Sequence, residues 1–158
     1  MTRSVGLGCV LADRDDASID EPTAETVCKN FGEGGRLIEI FNQEQMSFLQ
    51  NYLATVEEEM QVEDGWIWWW IGLNDRETEG EFVWPVNGPA NYTYWDVELD
   101  EPYPGIDDPL VLYSLIRDIS DPDHQYNCVE MQSSMFNLLW QTYDCDDGGY
   151  LYAVCQLP

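Results

Sequence analysis

Basic side chains are scarce in this chain: six Lys and Arg stand against 31 Asp and Glu, a formal net charge of −25 over 158 residues. Such a field repels phosphate backbones and anionic bilayers alike, which excludes nucleic acid as a partner. Histidine is nearly missing. With His124 alone, no pair of histidines can hold zinc, and any nucleophile–base triad would hang on one loop residue, so the inventory argues against an enzyme. Carboxylate pairs abound, but among 31 acids no pair singles out a glycosidase. Long apolar runs are absent too. The longest, Trp66 to Leu73, falls well short of the roughly 18 residues that a membrane-spanning helix needs, which excludes membrane insertion.

What is present is a globular composition, 44% hydrophobic, in a length that suits one domain over residues 1–158. The acidity is uneven: residues 57–108 carry 15 acids and only Arg76 as a base, a surface that favours cations or a basic partner, or simply solubility. The first 20 residues read as a tail with an edge strand at Val5 to Leu11, paired with Tyr150 to Val154 near the C-terminus. A helix follows. Asp20 caps it, Pro22 suits its first turn, and Ala24, Val27, Cys28 and Phe31 repeat at the spacing of one buried face, with Gly32, Gly34 and Gly35 to end it. Arg36 to Ile40 reads as a strand. Asn42 and Gln45 then open a second helix with Met46, Leu49, Leu53 and Val56 on its inner face. Glu57, Glu58 and Glu59 are three like charges at its C-terminal end, where the helix dipole disfavours them, so fraying is expected there. From Trp66 onward short β segments alternate with turns such as Asn87-Gly88-Pro89. Two helices followed by a run of strands is an α+β plan.

Along that plan stand spaced landmarks: Trp70-Ile71-Gly72-Leu73, Glu79-Gly80-Glu81-Phe82-Val83-Trp84, Trp95, Glu101-Pro102, Cys128, Trp140, Cys145 and Cys155. This series resembles the C-type lectin-like domain, whose fold has two helices, two small antiparallel sheets and a long loop region. Five cysteines occupy positions 9, 28, 128, 145 and 155, and arithmetic alone leaves three pairings open for any four of them. The resemblance implies Cys28 with Cys155 and Cys128 with Cys145. Stable disulfides imply an oxidising compartment, hence a secreted or extracellular protein. That assignment rests on the cysteines, because Met1 to Gly8 lacks the apolar core of a secretion signal. Cys9 is left over, and a truncated start, a free thiol and an intermolecular bridge are all open. Trp70, Trp84, Trp95 and Trp140 fall on framework positions and are assigned to packing.

The same resemblance locates the chemistry. Calcium-dependent members hold one ion with the Glu and Asn of Glu-Pro-Asn, a Glu two residues before the third framework cysteine, and the Asn-Asp of Trp-Asn-Asp. Calcium takes six to eight oxygens, so such a site needs most of its carboxylates. Here Glu101 is kept, but Tyr103, Tyr126, Gln141 and Thr142 stand at the other ligand positions. In the auxiliary calcium site Asp75 and Glu79 match the family's carboxylate pair, while Pro104 and Asn127 stand at its other positions, with Asp107 and Asp108 nearby. Metal candidates are therefore Asp75, Glu79 and Glu101. Ligand-binding candidates are Glu101, Tyr103, Asp107, Asp108, Gln141, Thr142 and Asp144.

Residues 101–128 form an expanded segment, longer than the family usually has, with an apolar stretch from Pro109 to Ile119 that must be covered by its own domain or by a partner. Trp66, Trp68, Tyr92, Tyr94 and Tyr103 could stack on sugars or anchor a protein interface. Asn91-Tyr92-Thr93 is an N-glycosylation sequon. The expectation is an extracellular recognition module for a protein or glycan, lacking the usual calcium-dependent sugar site. Two alternatives stand beside it: a lectin with rearranged calcium ligands, and an acidic matrix or self-assembling protein.

Overall fold

A computed structural model describes residues 2–4, 6–15, 17–63, 65–97 and 126–158. Glu101, Tyr103, Asp107, Asp108, the apolar stretch 109–119 and His124 lie outside the described residues.

The first helix, α1 (Glu21–Asn30), begins where its cap predicts: Asp20 Oδ1 accepts the Thr23 amide at 3.0 Å, and Pro22 sits in the first turn. It buries Ala24 and Cys28. Phe31 does not join them; it is the C-cap residue and is exposed, because the chain turns away into the glycines before another helical turn could bring it inward. The second helix, α2 (Gln43–Glu59), is capped by Asn42 Oδ1 on the Gln45 amide (2.9 Å), and Gln45 Oε1 returns to the Phe41 amide (2.7 Å). Met46, Leu49, Leu53 and Val56 are all buried as expected.

The C-terminal end of α2 corrects the expectation of fraying. The helix stays regular through Glu59 because Glu57 turns inward, where its carboxylate accepts the Trp69 indole N–H (2.9 Å) and the Ser134 amide (3.0 Å). Glu59 pairs with Arg14. Two of the three charges are thus answered by partners outside the helix.

Among the described residues nine strands follow one another as β1 (Thr2–Ser4), β2 (Gly8–Ala12), β3 (Arg36–Leu37), β4 (Trp68–Asn74), β5 (Val83–Trp84), β6 (Gly88–Pro89), β7 (Cys128–Met131), β8 (Trp140–Tyr143) and β9 (Leu151–Leu157). The N-terminal strand pairs with the C-terminal one as expected, Leu11 against Cys155 and Ala12 against Val154, although it starts at Gly8. The strand expected over 36–40 keeps regular pairing only at Arg36 and Leu37. Two antiparallel portions are present. β1, β2 and β3 associate with the second half of β9, while β5, β6, β7 and β8 build outward from β4. The first half of β9 runs parallel to β4, Trp68 against Leu151 and Trp70 against Ala153, and joins both portions into one mixed sheet.

This central position explains the Trp68 to Leu73 run. A strand buried on both faces reads as continuous hydrophobicity, not as alternation. Trp69, Ile71 and Leu73 pack with the inner face of α2 in the main core, while Trp70 points to a second cluster with Ala24, Cys28, Cys128 and Cys155. Gly72 carries no side chain where β4 crosses β3: its amide donates to the Ile38 carbonyl (2.9 Å), and a Cβ there would press on Leu37 and Ile38 carbonyls at 3.3 Å. Both disulfides form as expected, Cys28 with Cys155 and Cys128 with Cys145, and Cys9 is a free thiol.

Candidate functional site

β4 ends at Asn74 opposite Cys128, and the rim of candidate ligands begins at the next residue. Asp75 is buried. Its Oδ2 accepts the Gly80 amide at 2.8 Å, and its own amide donates to the Asn127 carbonyl at 3.1 Å. Burial pushes the carboxyl pKa up, and the Gly80 hydrogen bond acts in the opposite direction. Asp75 thus closes the 75–80 loop over the entry to β7, and the loop carries Glu79 exposed near its tip. Asp75 and Asn127 come together here through their backbones.

Gln141 and Thr142 lie within β8. Thr142 is fully buried opposite Val129, and Gln141 faces its ladder partner Glu130, to whose carboxylate it donates through Nε2. Asp144 is half-buried after β8, where its Oδ1 accepts the Asp146 amide (2.9 Å). Tyr126 is half-buried two residues ahead of Cys128. Among the described residues no group of three His, Cys, Asp or Glu side chains is arranged to hold a metal ion.

The long segment departs from a well-braced base. The Asp96 amide donates to the Trp140 carbonyl (2.8 Å), and its carboxylate accepts Gln132 Nε2 (2.6 Å). Nearby, Trp140 collects the rings of Trp84, Tyr92 and Trp95 at 5.9 to 6.0 Å, all near perpendicular. Trp70, Trp84 and Trp140 are buried and Trp95 half-buried, as assigned. Asn91 is exposed beside an open groove of about 200 Å³ lined by Phe41, Asn87, Pro89 and Tyr92. The Tyr92 hydroxyl donates to Gln43 Oε1 (2.9 Å), and burial, with Tyr94 nearby, pushes its pKa up to about 12. That hydroxyl stays a donor at any physiological pH.

Two buried carboxylates carry more of the architecture than their sequence context suggests. Besides Glu57, Glu39 is fully buried under the β5–β6 hairpin, accepting the Val86 amide (3.0 Å) and Asn87 Nδ2 (2.6 Å). Strand alternation beside the buried Ile38 and Ile40 would turn Glu39 outward, so its burial had no signal in the sequence. Tyr150 is another residue not singled out in advance, although Gly148-Gly149 before it marks a turn.

A family model described as the lectin C-type domain matches residues 20–157. The low affinity immunoglobulin epsilon Fc receptor of Mus musculus is 34% identical over 62 residues, covering 39% of this chain and 15% of the receptor. The chain spans between 15% and 52% of the curated relatives it matches. Among solved structures, the cow C-type carbohydrate-recognition domain of CD23, determined with a GlcNAc2Man3 oligosaccharide, superposes with a TM-score of 0.62 at 24% identity, covering 97% of this chain and 89% of that one. Ovocleidin-17, a major protein of the Gallus gallus eggshell calcified layer, superposes with a TM-score of 0.62 at 16% identity over 98% of this chain and 94% of its own. At these identities the likeness is one of fold.

Proposed function

This chain belongs to the C-type lectin domain family of non-enzymatic binding modules, and from that premise we propose that it is an extracellular recognition module for a protein or glycan, working without the family's usual calcium-dependent sugar site. The carrying observation is the state of β8. A sugar-bridging ion needs side-chain oxygens turned outward, whereas Thr142 is buried and Gln141 is engaged by Glu130. Tyr126 in place of a carboxylate supports the same reading. Asp75, held by the Gly80 amide, is then a loop brace. In this reading Glu101, Tyr103, Asp107, Asp108 and Asp144 supply contact groups for the ligand.

The test is a glycan array probed with calcium and with chelator, followed by calorimetric titration of calcium into chelator-treated protein. The expected result is no calcium-dependent glycan signal and weak calcium binding. Micromolar calcium affinity that tightens with mannose or galactose would overturn the proposal and favour the lectin with rearranged ligands.

A second reading draws on the net charge of −25 and on the fold shared with ovocleidin-17: an acidic matrix protein bound to mineral. Salt-sensitive retention on calcite at physiological pH is its expected signature.

A further inference from the structure

Four large apolar side chains stand out at one end of the molecule: Trp66 (61% exposed), Tyr150 (58%), Met135 (64%) and Phe136 (46%). Three segments converge there. Trp66 leads into β4 and Tyr150 into β9, and because these strands are parallel neighbours their starts lie side by side, with the Trp68 amide donating to the Tyr150 carbonyl (3.1 Å). The 3-10 turn Ser134–Phe136, between β7 and β8, closes the third side. Gly65 lets it do so: its φ is +69°, and a Cβ there would lie 2.8 Å from the Phe136 ring and 3.5 Å from Met135 Sδ. Trp66 meets Trp68 edge-on (6.1 Å, 84°) and Tyr150 at 6.0 Å and 63°. Side chains of this size bury roughly 150–250 Å² each, so the four together offer on the order of 400 Å², the range of the largest apolar patch on a monomer, which is often functional.

Backbone conformation points the same way. Tyr150 holds φ at +55°, and Asn137 and Leu138, which close the turn after Phe136, hold +60° and +56°. A bulky residue in the left-handed region is disfavoured and persists only where surrounding structure holds it; here the Ser18 hydroxyl accepts the Tyr150 amide (3.3 Å). The fold keeps an exposed tyrosine where glycine would sit more easily.

Charge selects the occupant. The segments that carry the patch also expose Glu63, Asp146 and Asp147. The four cations with described side chains are each set against a glutamate: Arg14 with Glu59, Lys29 with Glu25, Arg36 with Glu39 and Arg76 with Glu21. Copies of this chain, each at −25, repel one another, as does an anionic bilayer. We propose that this face docks a cationic polypeptide segment, with Arg or Lys heads over the rings of Trp66 and Tyr150 and apolar side chains against Met135 and Phe136. Cations are attracted to aromatic ring faces within about 6 Å, and methionine adapts to varied apolar partners. None of Trp66, Met135, Phe136 and Tyr150 is among the β8 rim residues, so this inference does not stand or fall with the calcium titration.

Fluorescence anisotropy on the full chain tests it, using a labelled twelve-residue peptide alternating arginine and leucine and a control alternating aspartate and leucine. The arginine peptide is expected to bind, the control not, with affinity falling as NaCl rises from about 0.1 to 0.5 M. Trp66→Ala and Tyr150→Gly should each raise Kd by about tenfold, the scale of an interface anchor. Tyr150→Gly is the more searching variant, because glycine accepts the left-handed φ and the thermal midpoint should hold within about 3 °C while binding weakens. Phe31→Ala, an exposed aromatic on another element, should leave Kd unchanged. Equal binding of the two peptides, or unchanged Kd in both patch variants, overturns the proposal. So does Trp66-dependent partition onto phosphatidylcholine vesicles without peptide binding, or a Tyr150-dependent dimer in sedimentation.

Discussion

Glu57 shows how one side chain can reverse an inference drawn from its neighbours. As the first of three glutamates at a helix end it reads as a destabilising charge, yet it is buried and receives the Trp69 indole and the Ser134 amide and hydroxyl. Hydrogen bonds to a charged group contribute about 1.5–3 kcal/mol, and donors left unsatisfied cost about as much. Glu57→Ala is therefore expected to lower unfolding free energy by roughly 2–4 kcal/mol in urea denaturation. Glu58→Ala, at an exposed position, should stay within about 0.5 kcal/mol of the parent. Equal effects at the two sites would mean that Glu57 is no anchor. Glu21 gives a pH-dependent counterpart. It is buried against Arg76, and desolvation, only partly offset by the arginine, raises its carboxyl pKa above the ordinary 4.5. A carboxyl whose folded pKa is raised favours the fold most when protonated. Its contribution is fully present below pH 4.5 and is lost as pH rises through the folded value. Glu21→Gln should thus gain stability relative to the parent over that window and hold the gain at higher pH. Denaturation midpoints at pH 4 and pH 7 check it; a gap that narrows toward neutrality would reverse the sign.

Elements differ in how legible they were, and the differences have physical causes. Both helices could be read because local chemistry marks them: Asp20 and Asn42 bond the amides three residues on, and the inner stripe of α2 is buried throughout. β4 was visible as a hydrophobic run, but its parallel pairing with β9 was not, since a strand buried on both faces carries no record of its neighbours' direction. β1 and β6 are two or three residues long and left no periodicity to read. Of the candidate site, the landmark spacing picks out the positions Asp75, Gln141 and Thr142, while their burial follows from loop hydrogen bonds and ladder register that no single segment encodes. The disulfides tie these elements together. Cys128 and Cys145, 17 residues apart, join the start of β7 to the turn after β8, and Cys28 and Cys155, 127 apart, join α1 to β9. Chain-entropy arguments assign about 3 kcal/mol to a loop of the shorter kind and between about 4 and 5 to the longer. Replacing Cys28 and Cys155 by serine should therefore destabilise more than replacing Cys128 and Cys145, as read from guanidinium midpoints. The reverse order would mean that strain or residual unfolded structure dominates the loop term.

At the scale of the whole molecule the charge of −25 sets the conditions under which every other interaction operates. Surface ion pairs such as Arg14 with Glu59 contribute about 0–1 kcal/mol and cannot balance so large an excess. Self-repulsion should therefore weaken the fold at low ionic strength, and screening should restore it. Thermal midpoints are expected to rise by a few degrees as NaCl goes from about 10 to 500 mM, where the Debye length falls below about 5 Å. Calcium separates screening from a built site. A site with Kd near 1 μM would stabilise the fold by about 4 kcal/mol at 1 mM calcium. In a chain of this size that corresponds to roughly 10 °C in the midpoint, far above what screening adds at matched ionic strength. If β8 has given up its ligand role, as proposed, 1 mM calcium and ionic-strength-matched NaCl should give midpoints within about 2 °C of each other. A calcium-specific rise near 10 °C, removed by chelator, would require an ion cage completed by carboxylates of the acidic long segment and would replace the proposed function with a calcium-dependent one.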